Sequence, residues 1–461
     1  MRVLLKGGIV LSHPREPARI ADVAVAEGQI AGIGTSEAVA SCGPYDRILE
    51  CRGQVVMPGL VNAHTHTFQT LFRGLGDGLP FDRWQREIVY PLYAVLTPED
   101  AALFGLVGCL ENIRSGATSV ITFQAYPNDE EACTLGIRTL VESGLRGIFV
   151  KAFFGENAPA AFLRPREAVM AECDRVLGTL AGAGTSRVRV WLGPPMLARV
   201  PLDWVKDAAE IARAHRSGLH IHIDENAQLA EESRKRLKCS EVEALDRLGV
   251  LDERFHAAHC VATPEEDMHR LRDAGAHVMH CPISNLYLGC GVARITVMRR
   301  AGLNVCLGSD GPASNNNQDM FTVLKMASLL QKGWQQNAAV APPEEALEMA
   351  ILGGARALGA ATLGVLARGC PADIAVVDIH TAHTVAAHKA ASTLVYSSAA
   401  ADVRTVIIDG RIVMEDRKIV TVDEPAILDR AQTRAETLLR EAGLSRLREA
   451  WSLAPRREVR S

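Results

Sequence analysis

Between residues 58 and 363 the chain alternates short apolar runs with helix-like stretches, and it does so eight times. The runs are MPGLVNAHTH, ATSVITF, LRGIFVKAFF, RVRVWLGPP, LHIHIDEN, RFHAAHC, AHVMHCP and LNVCLGSDG. Between them lie segments such as PREAVMAECDRVLGTLAG and LDWVKDAAEIARAHR, in which apolar residues recur at helical spacing. Eight β/α alternations over about 300 residues favour a closed parallel (β/α)8 barrel over an open sheet.

The two ends have a different texture. VLLKGGIVL, DVAVAEGQIAGIG and RILECRGQVVMPG near the start read as short strands punctuated by glycine turns, and GCPADIAVVDI and VRTVIIDGRIVMEDRKIV repeat that pattern near the end. The expected α/β architecture is therefore a barrel over 58–363, a small discontinuous β-sandwich module from 1–57 plus 364–423, and a helical tail over 424–461 rich in Ala, Arg, Glu and Leu.

Composition removes several function classes. Net charge is −4 with no basic stripe, so neither nucleic acid nor an anionic membrane surface is implied as a partner. No apolar run approaches the roughly 18 residues that span a bilayer, and the N-terminus lacks the sustained apolar region of a signal peptide. Eleven cysteines are scattered without a CxxC pair, which reads as reduced thiols in a cytoplasmic protein.

In a barrel of this kind the catalytic groups sit at the C-terminal ends of the strands, and the unusual polar residues of this chain fall there. The first run ends in His64-Thr65-His66, whose alternation points both imidazoles the same way. The fifth carries His220-Ile221-His222 followed by Asp224 and Glu225; the sixth ends in His259, the seventh in His280 and the eighth in Ser309-Asp310. Three imidazoles and a carboxylate suit Zn²⁺ or Fe²⁺ with an open position, and such a cation lowers the pKa of water to about 7. Glu225, His259 and Asp310 are the candidates for moving protons. Each also has a plainer reading. An isolated HxH pair on a strand is more often structural than metal-binding; His220 lies a layer deeper and reads as a core histidine, as does His256; His280 fits a substrate contact or a polar plug equally well. The constellation is stronger than its parts, because four strand ends supply compatible groups in barrel order. The HxE and PCxxC strings of the zinc deaminases that act on nucleic-acid bases do not occur.

PGLVNAHTHTFQTLFRG, HIDEN, AAHC, HCPISNLYLGCGVA and LGSDGPASNNNQDMF resemble the deaminase and chlorohydrolase branch of the amidohydrolase superfamily, over nearly the whole chain. Its 5-methylthioadenosine/S-adenosylhomocysteine deaminases are the nearest group, with guanine-type and triazine deaminases further off. The resemblance implies metal ligands His64, His66, His222 and Asp310, with Glu225 as proton shuttle, His259 orienting the attacking water, and Asp310 serving also as general base. It implies one divalent ion, Zn²⁺ before Fe²⁺, because the fourth run ends in Leu-Gly-Pro-Pro without the lysine that binuclear relatives use. A homodimer acting on a small molecule is the corresponding expectation.

The pocket departs from the nucleoside enzymes. Tyr93 stands where they place an acid for ribose hydroxyls, Lys151 where they have arginine, and Pro195 where they have histidine. Gln69 matches a glutamine that oxo-purine deaminases direct at a ring edge, and Trp84 is a candidate stacking wall. With His280 and Asn285 these make the expected substrate-binding set: Gln69, Trp84, Tyr93, Lys151, His280 and Asn285. The expected reaction is hydrolytic deamination of an aminated purine, pterin, pyrimidine or triazine-like base. A methylthioadenosine-type nucleoside, or hydrolysis of a C–Cl, alkylamine or amide bond, is the alternative.

Overall fold

The computed structural model describes residues 1–126, 129–155, 159–180, 187–360 and 362–448. Five strands precede the barrel: β1 (Val3–Val10), β2 (Arg19–Ala26), β3 (Gln29–Gly34), β4 (Arg47–Glu50) and β5 (Gln54–Pro58). The barrel strands are β6 (Leu60–Thr65), β7 (Ala117–Gln124), β8 (Arg146–Ala152), β9 (Val188–Gly193), β10 (Leu219–Ile223), β11 (Phe255–His259), β12 (His277–His280) and β13 (Asn304–Leu307). Each coincides with one of the eight apolar runs. After them come β14 (Ile374–Asp378), β15 (Val403–Ile408), β16 (Arg411–Glu415) and β17 (Lys418–Ile419).

Strands β6 to β13 pair in parallel in sequence order. The seam between β13 and β6 is held by main-chain and side-chain bonds: Asp310 N–H donates to His64 O at 2.9 Å, and Ser309 N–H donates to Asn62 Oδ1 at 2.9 Å. Helices lie outside, between consecutive strands. Their inner faces follow the 3.6-residue period: in Leu202–Ala214 the buried residues are Trp204, Val205, Ala208, Ala209 and Ala212.

The two ends of the chain form one nine-stranded sheet, in which antiparallel pairing of β5 with β14 joins the N-terminal and C-terminal strands. One residue, Gly59, separates β5 from β6. A Cβ there would lie 2.1 Å from Thr118 Cγ2, so the close step from sheet to barrel requires glycine. The expected helical tail is Glu424–Glu441, fastened to the barrel helix Pro98–Arg114 by paired bonds from Arg434 to Asp100 (2.7 and 2.8 Å). Residues 449–461 of the expected tail, and 181–182 of one expected helix, lie outside the described residues. Among the described residues no single helix is long and apolar enough to cross a membrane.

Candidate active site

Strand parity decides what faces the barrel interior. His64, His220 and His256 are fully buried there: His64 meets His220, and His256 lies under the Trp191 ring with centroids 4.1 Å apart. Alternation then turns His222 inward on β10 and Ala258 inward on β11, which leaves Glu225 and His259 out of phase. Both are brought back by left-handed backbone, with φ of 46° at Asp224 and 71° at His259; Asp310 beyond β13 has φ 60°. Non-glycine residues rarely hold such angles, and their clustering at three strand ends marks a site that the surrounding fold enforces.

The ring nitrogens are oriented by what lies behind them. His66 Nδ1–H donates to the Phe123 carbonyl at 2.7 Å, so its Nε2 carries a lone pair. That Nε2 lies 3.2 Å from Asp310 Oδ1 and 3.4 Å from His222 Nε2, while His64 Nε2 lies 3.4 Å from the same Asp310 oxygen. His64 Nε2 is buried and finds no hydrogen-bond partner among the described residues. Asp310 is held as an acceptor: Gly311 N–H donates to Oδ1 at 2.7 Å, and the Ser284 and Ser314 hydroxyls donate to Oδ2. Acceptor atoms of His64, His66 and Asp310 thus converge in a buried space, an arrangement that repels itself unless a cation sits at its centre. Burial drives the His64 pKa down to about 4 and that of His222 well below its usual value, keeping both neutral as ligands must be. Two overlapping groups of donors could hold a metal ion, His64 with His66 and Asp310, and His64 with His222 and His259.

Beside this set, Glu225 Oε1 lies 3.8 Å from His259 Nε2. Burial raises the Glu225 carboxyl above the ordinary range, with the Asp310 charge adding to the rise and His259 opposing it. His259 Nδ1–H donates to Asn285 Oδ1 at 2.9 Å, which leaves its Nε2 facing the site without a partner among the described residues.

A cavity of roughly 640 Å³, counted out to its open mouth, reaches down to His66, His222, Glu225, His259 and Asp310. Phe81, Trp84, Tyr90, Phe154, Met196 and Leu288 wall it. Gln69, Trp84 and Tyr93 all line this cavity. Gln69 Nε2 donates to Tyr93 Oη at 2.9 Å, and Trp84 Nε1 donates to Ala313 O at 3.1 Å.

Three expected substrate contacts fall elsewhere. Lys151 has outward parity on β8 and its ammonium meets Glu172 at 2.8 Å on the helix Arg166–Leu180, so the expectation of a pocket lysine is corrected. Asn285 stands behind His259, where its Oδ1 accepts from His259 Nδ1–H. His280 is fully buried, is not among the residues lining the cavity, and is driven by burial to a pKa of about 3. Sequence reasoning missed the serines that grip Asp310 and the apolar walls Phe154, Met196 and Leu288. Small hydroxyls and scattered apolar residues in loops carry no spacing signal.

The amidohydrolase family model matches residues 55–413, which takes in the whole barrel and the site. The chain belongs to the amidohydrolase family. This amidohydrolase is 36% identical over 443 residues to a 5'-deoxyadenosine deaminase of Methanosarcina mazei, covering 95% of this chain and 98% of the relative. A 5-methylthioadenosine/S-adenosylhomocysteine deaminase of Acetivibrio thermocellus is 33% identical, covering 95% of this chain and 100% of the relative. Among solved structures, an adenosine deaminase of Xanthomonas campestris with bound zinc superposes with a TM-score of 0.89 at 27% identity, over 95% of this chain and 98% of that one. The zinc complex of an atrazine chlorohydrolase from Arthrobacter aurescens shares the amidohydrolase fold, with a TM-score of 0.86 at 24% identity over 95% and 100% of the two chains.

Proposed function

We propose that this amidohydrolase is a zinc-dependent aminohydrolase that removes the exocyclic amine of an aminated N-heterocycle, with an adenine-type ring as the first candidate. The observation that carries the reading is the convergence of the lone pairs of His64, His66 and Asp310 beside a buried Glu225. Bound there, a single divalent ion would supply Lewis acidity that lowers the pKa of water to about 7.

The chain's own groups account for the rest. Asp310, fixed as an acceptor by Gly311, Ser284 and Ser314, takes a proton from the attacking water. His259, oriented by Asn285, directs its bare Nε2 at the same water. Glu225, biased toward its protonated form by burial, delivers a proton to the ring nitrogen next to the carbon under attack. A carbon–oxygen bond forms at that carbon. Its carbon–nitrogen bond then breaks: the amine leaves as ammonia with the proton that Asp310 holds, and the proton of the new hydroxyl passes to Glu225 as the carbonyl forms, which restores both carboxyls. Trp84 and Phe81 line the cavity and offer aromatic faces to a planar ring.

The aromatic and apolar wall, with Tyr93 tied to Gln69 where nucleoside enzymes carry an acid, supports a free base. A second reading, a 5'-deoxyadenosine-type nucleoside, is favoured by the substrates for which the most similar relatives are named. Ammonia release from adenine, guanine, cytosine, pterins and amino-triazines beside adenosine, 5'-deoxyadenosine and methylthioadenosine tests both. Turnover of bases alone supports the pocket argument, turnover of nucleosides alone supports the second reading, and silence across the panel contradicts deamination.

A further inference from the structure

Behind the candidate metal ligand His64 runs a line of three buried imidazoles that ends on a main-chain carbonyl. His64 Nδ1 lies 2.8 Å from His220 Nε2, His220 Nδ1 lies 3.3 Å from His256 Nδ1, and His256 Nε2 lies 3.0 Å from the carbonyl oxygen of Ala357. All three rings are fully buried.

One end of this line has a fixed polarity. Ala357 is the last residue of the helical stretch that begins at Pro343, and its carbonyl lies in the terminal turn, where intrahelical partners run out. A carbonyl only accepts, so His256 Nε2 must carry the proton. A neutral His256 then presents a bare Nδ1, which takes its hydrogen bond from His220 Nδ1–H. His220 in turn presents a bare Nε2, which takes its bond from His64 Nδ1–H. The last consequence falls on His64 Nε2: it is left without a proton and aimed at Asp310 Oδ1, 3.4 Å away. The opposite polarity would require an extra proton on a fully buried imidazole beside a cation site. His256 is held in place by the Trp191 ring, 4.1 Å away.

We propose that His220 and His256 are positioning residues whose hydrogen-bond relay from the Ala357 carbonyl sets the tautomer of His64 and so prepares its Nε2 to bind the metal. Neither touches substrate. This rests on His64 being a ligand, and it extends the site's design down the barrel axis to the end of the helix after β13. Outer partners of metal-binding histidines contribute roughly 10–100-fold to metal affinity.

The test is zinc affinity of the metal-free full-length protein, measured by competition with a chromophoric chelator, with the absorption spectrum of the cobalt form as a second readout. His220→Leu should weaken zinc binding by roughly 10–100-fold. His220→Gln should restore most of it, because its amide oxygen accepts from His64 and its N–H donates to His256. His256→Leu should weaken binding less than His220→Leu, and the double leucine variant should bind as His220→Leu does, since the relay is already broken. Equal affinity of His220→Leu and wild type would overturn the proposal. So would equal losses for Leu and Gln at 220, or losses that multiply in the double variant. If His220→Leu does not fold, His256→Leu still decides it, because a relay without function leaves that variant at wild-type affinity. A wild-type protein that takes up no zinc defeats the functional reading itself; zinc bound with normal affinity by the leucine variants defeats only the relay.

Discussion

Gln69 donates its amide N–H to Tyr93 Oη at 2.9 Å, and its carbonyl oxygen is left buried without a partner among the described residues, packed against Gly311. The orientation leaves Gln69, a residue that lines the cavity, with a buried acceptor oxygen beside Gly311. It also explains Gly311. A Cβ there would lie 1.9 Å from Gln69 Oε1 and 3.0 Å from His66 Cβ, so the backbone beside the candidate metal ligand Asp310 has no room for a side chain.

Tyr93→Phe removes the acceptor that orients Gln69 and leaves a buried N–H unsatisfied, at a cost of about 1–3 kcal/mol. The variant should melt lower than wild type, and kcat/KM for the preferred substrate should fall more than zinc affinity does. Unchanged kcat/KM would show that the orientation of Gln69 is irrelevant to substrate.

Lys151 lies outside the cavity, so Lys151→Met should leave KM unchanged while lowering Tm. Removing one partner of a buried ion pair costs up to about 3–5 kcal/mol, and Arg164, 2.8 Å from the other Glu172 oxygen, offsets part of that. A raised KM with unchanged Tm would return the residue to the pocket.

Asp224 and Glu241 form a buried carboxyl pair in which Glu241 Oε2 accepts from Asp224 N–H at 2.9 Å. Burial pushes both carboxyls above the ordinary range, and Asp224 adds to the rise at Glu241. The folded state therefore binds more protons than the unfolded state between pH ~4 and the raised native values, and stability falls as pH rises across that window. Glu241→Gln removes one of these titrations. Compared by calorimetry on metal-free protein, its Tm relative to wild type should be higher at pH 8 than at pH 5. A difference that stays constant or reverses would contradict the assignment.

The barrel was legible in the sequence because each strand is an apolar run of its own, bounded by turn residues, and because HTH, HIH and SDG fall where a barrel concentrates chemistry. Gln69 was legible through the motif around His64, and Trp84 and Tyr93 through the segment LPFDRWQREIVYPLY that follows it. The misplacement of Lys151 has a physical reason: near a strand end, resemblance aligns positions, whereas a one-residue change of parity sends a side chain to the opposite face. The same parity rule, applied strictly, would have sent Glu225 and His259 away from the site, and only the left-handed backbone at Asp224 and His259 brings them in. Backbone strain of that kind leaves no trace in residue type. The pairing of His220 with His256 was equally hidden, because it depends on the depth at which two neighbouring strands align: His220 and His256 are register partners across β10 and β11.

The most direct test of the account is ammonia release by one preparation of the protein, stripped of metal and then titrated with zinc, beside Glu225→Gln treated in the same way. Activity should be absent from stripped protein and should saturate at one zinc per chain. Glu225→Gln should bind zinc equally well and turn over roughly 10²–10⁴-fold more slowly. Full ammonia release by the stripped protein, or by zinc-loaded Glu225→Gln, would contradict it.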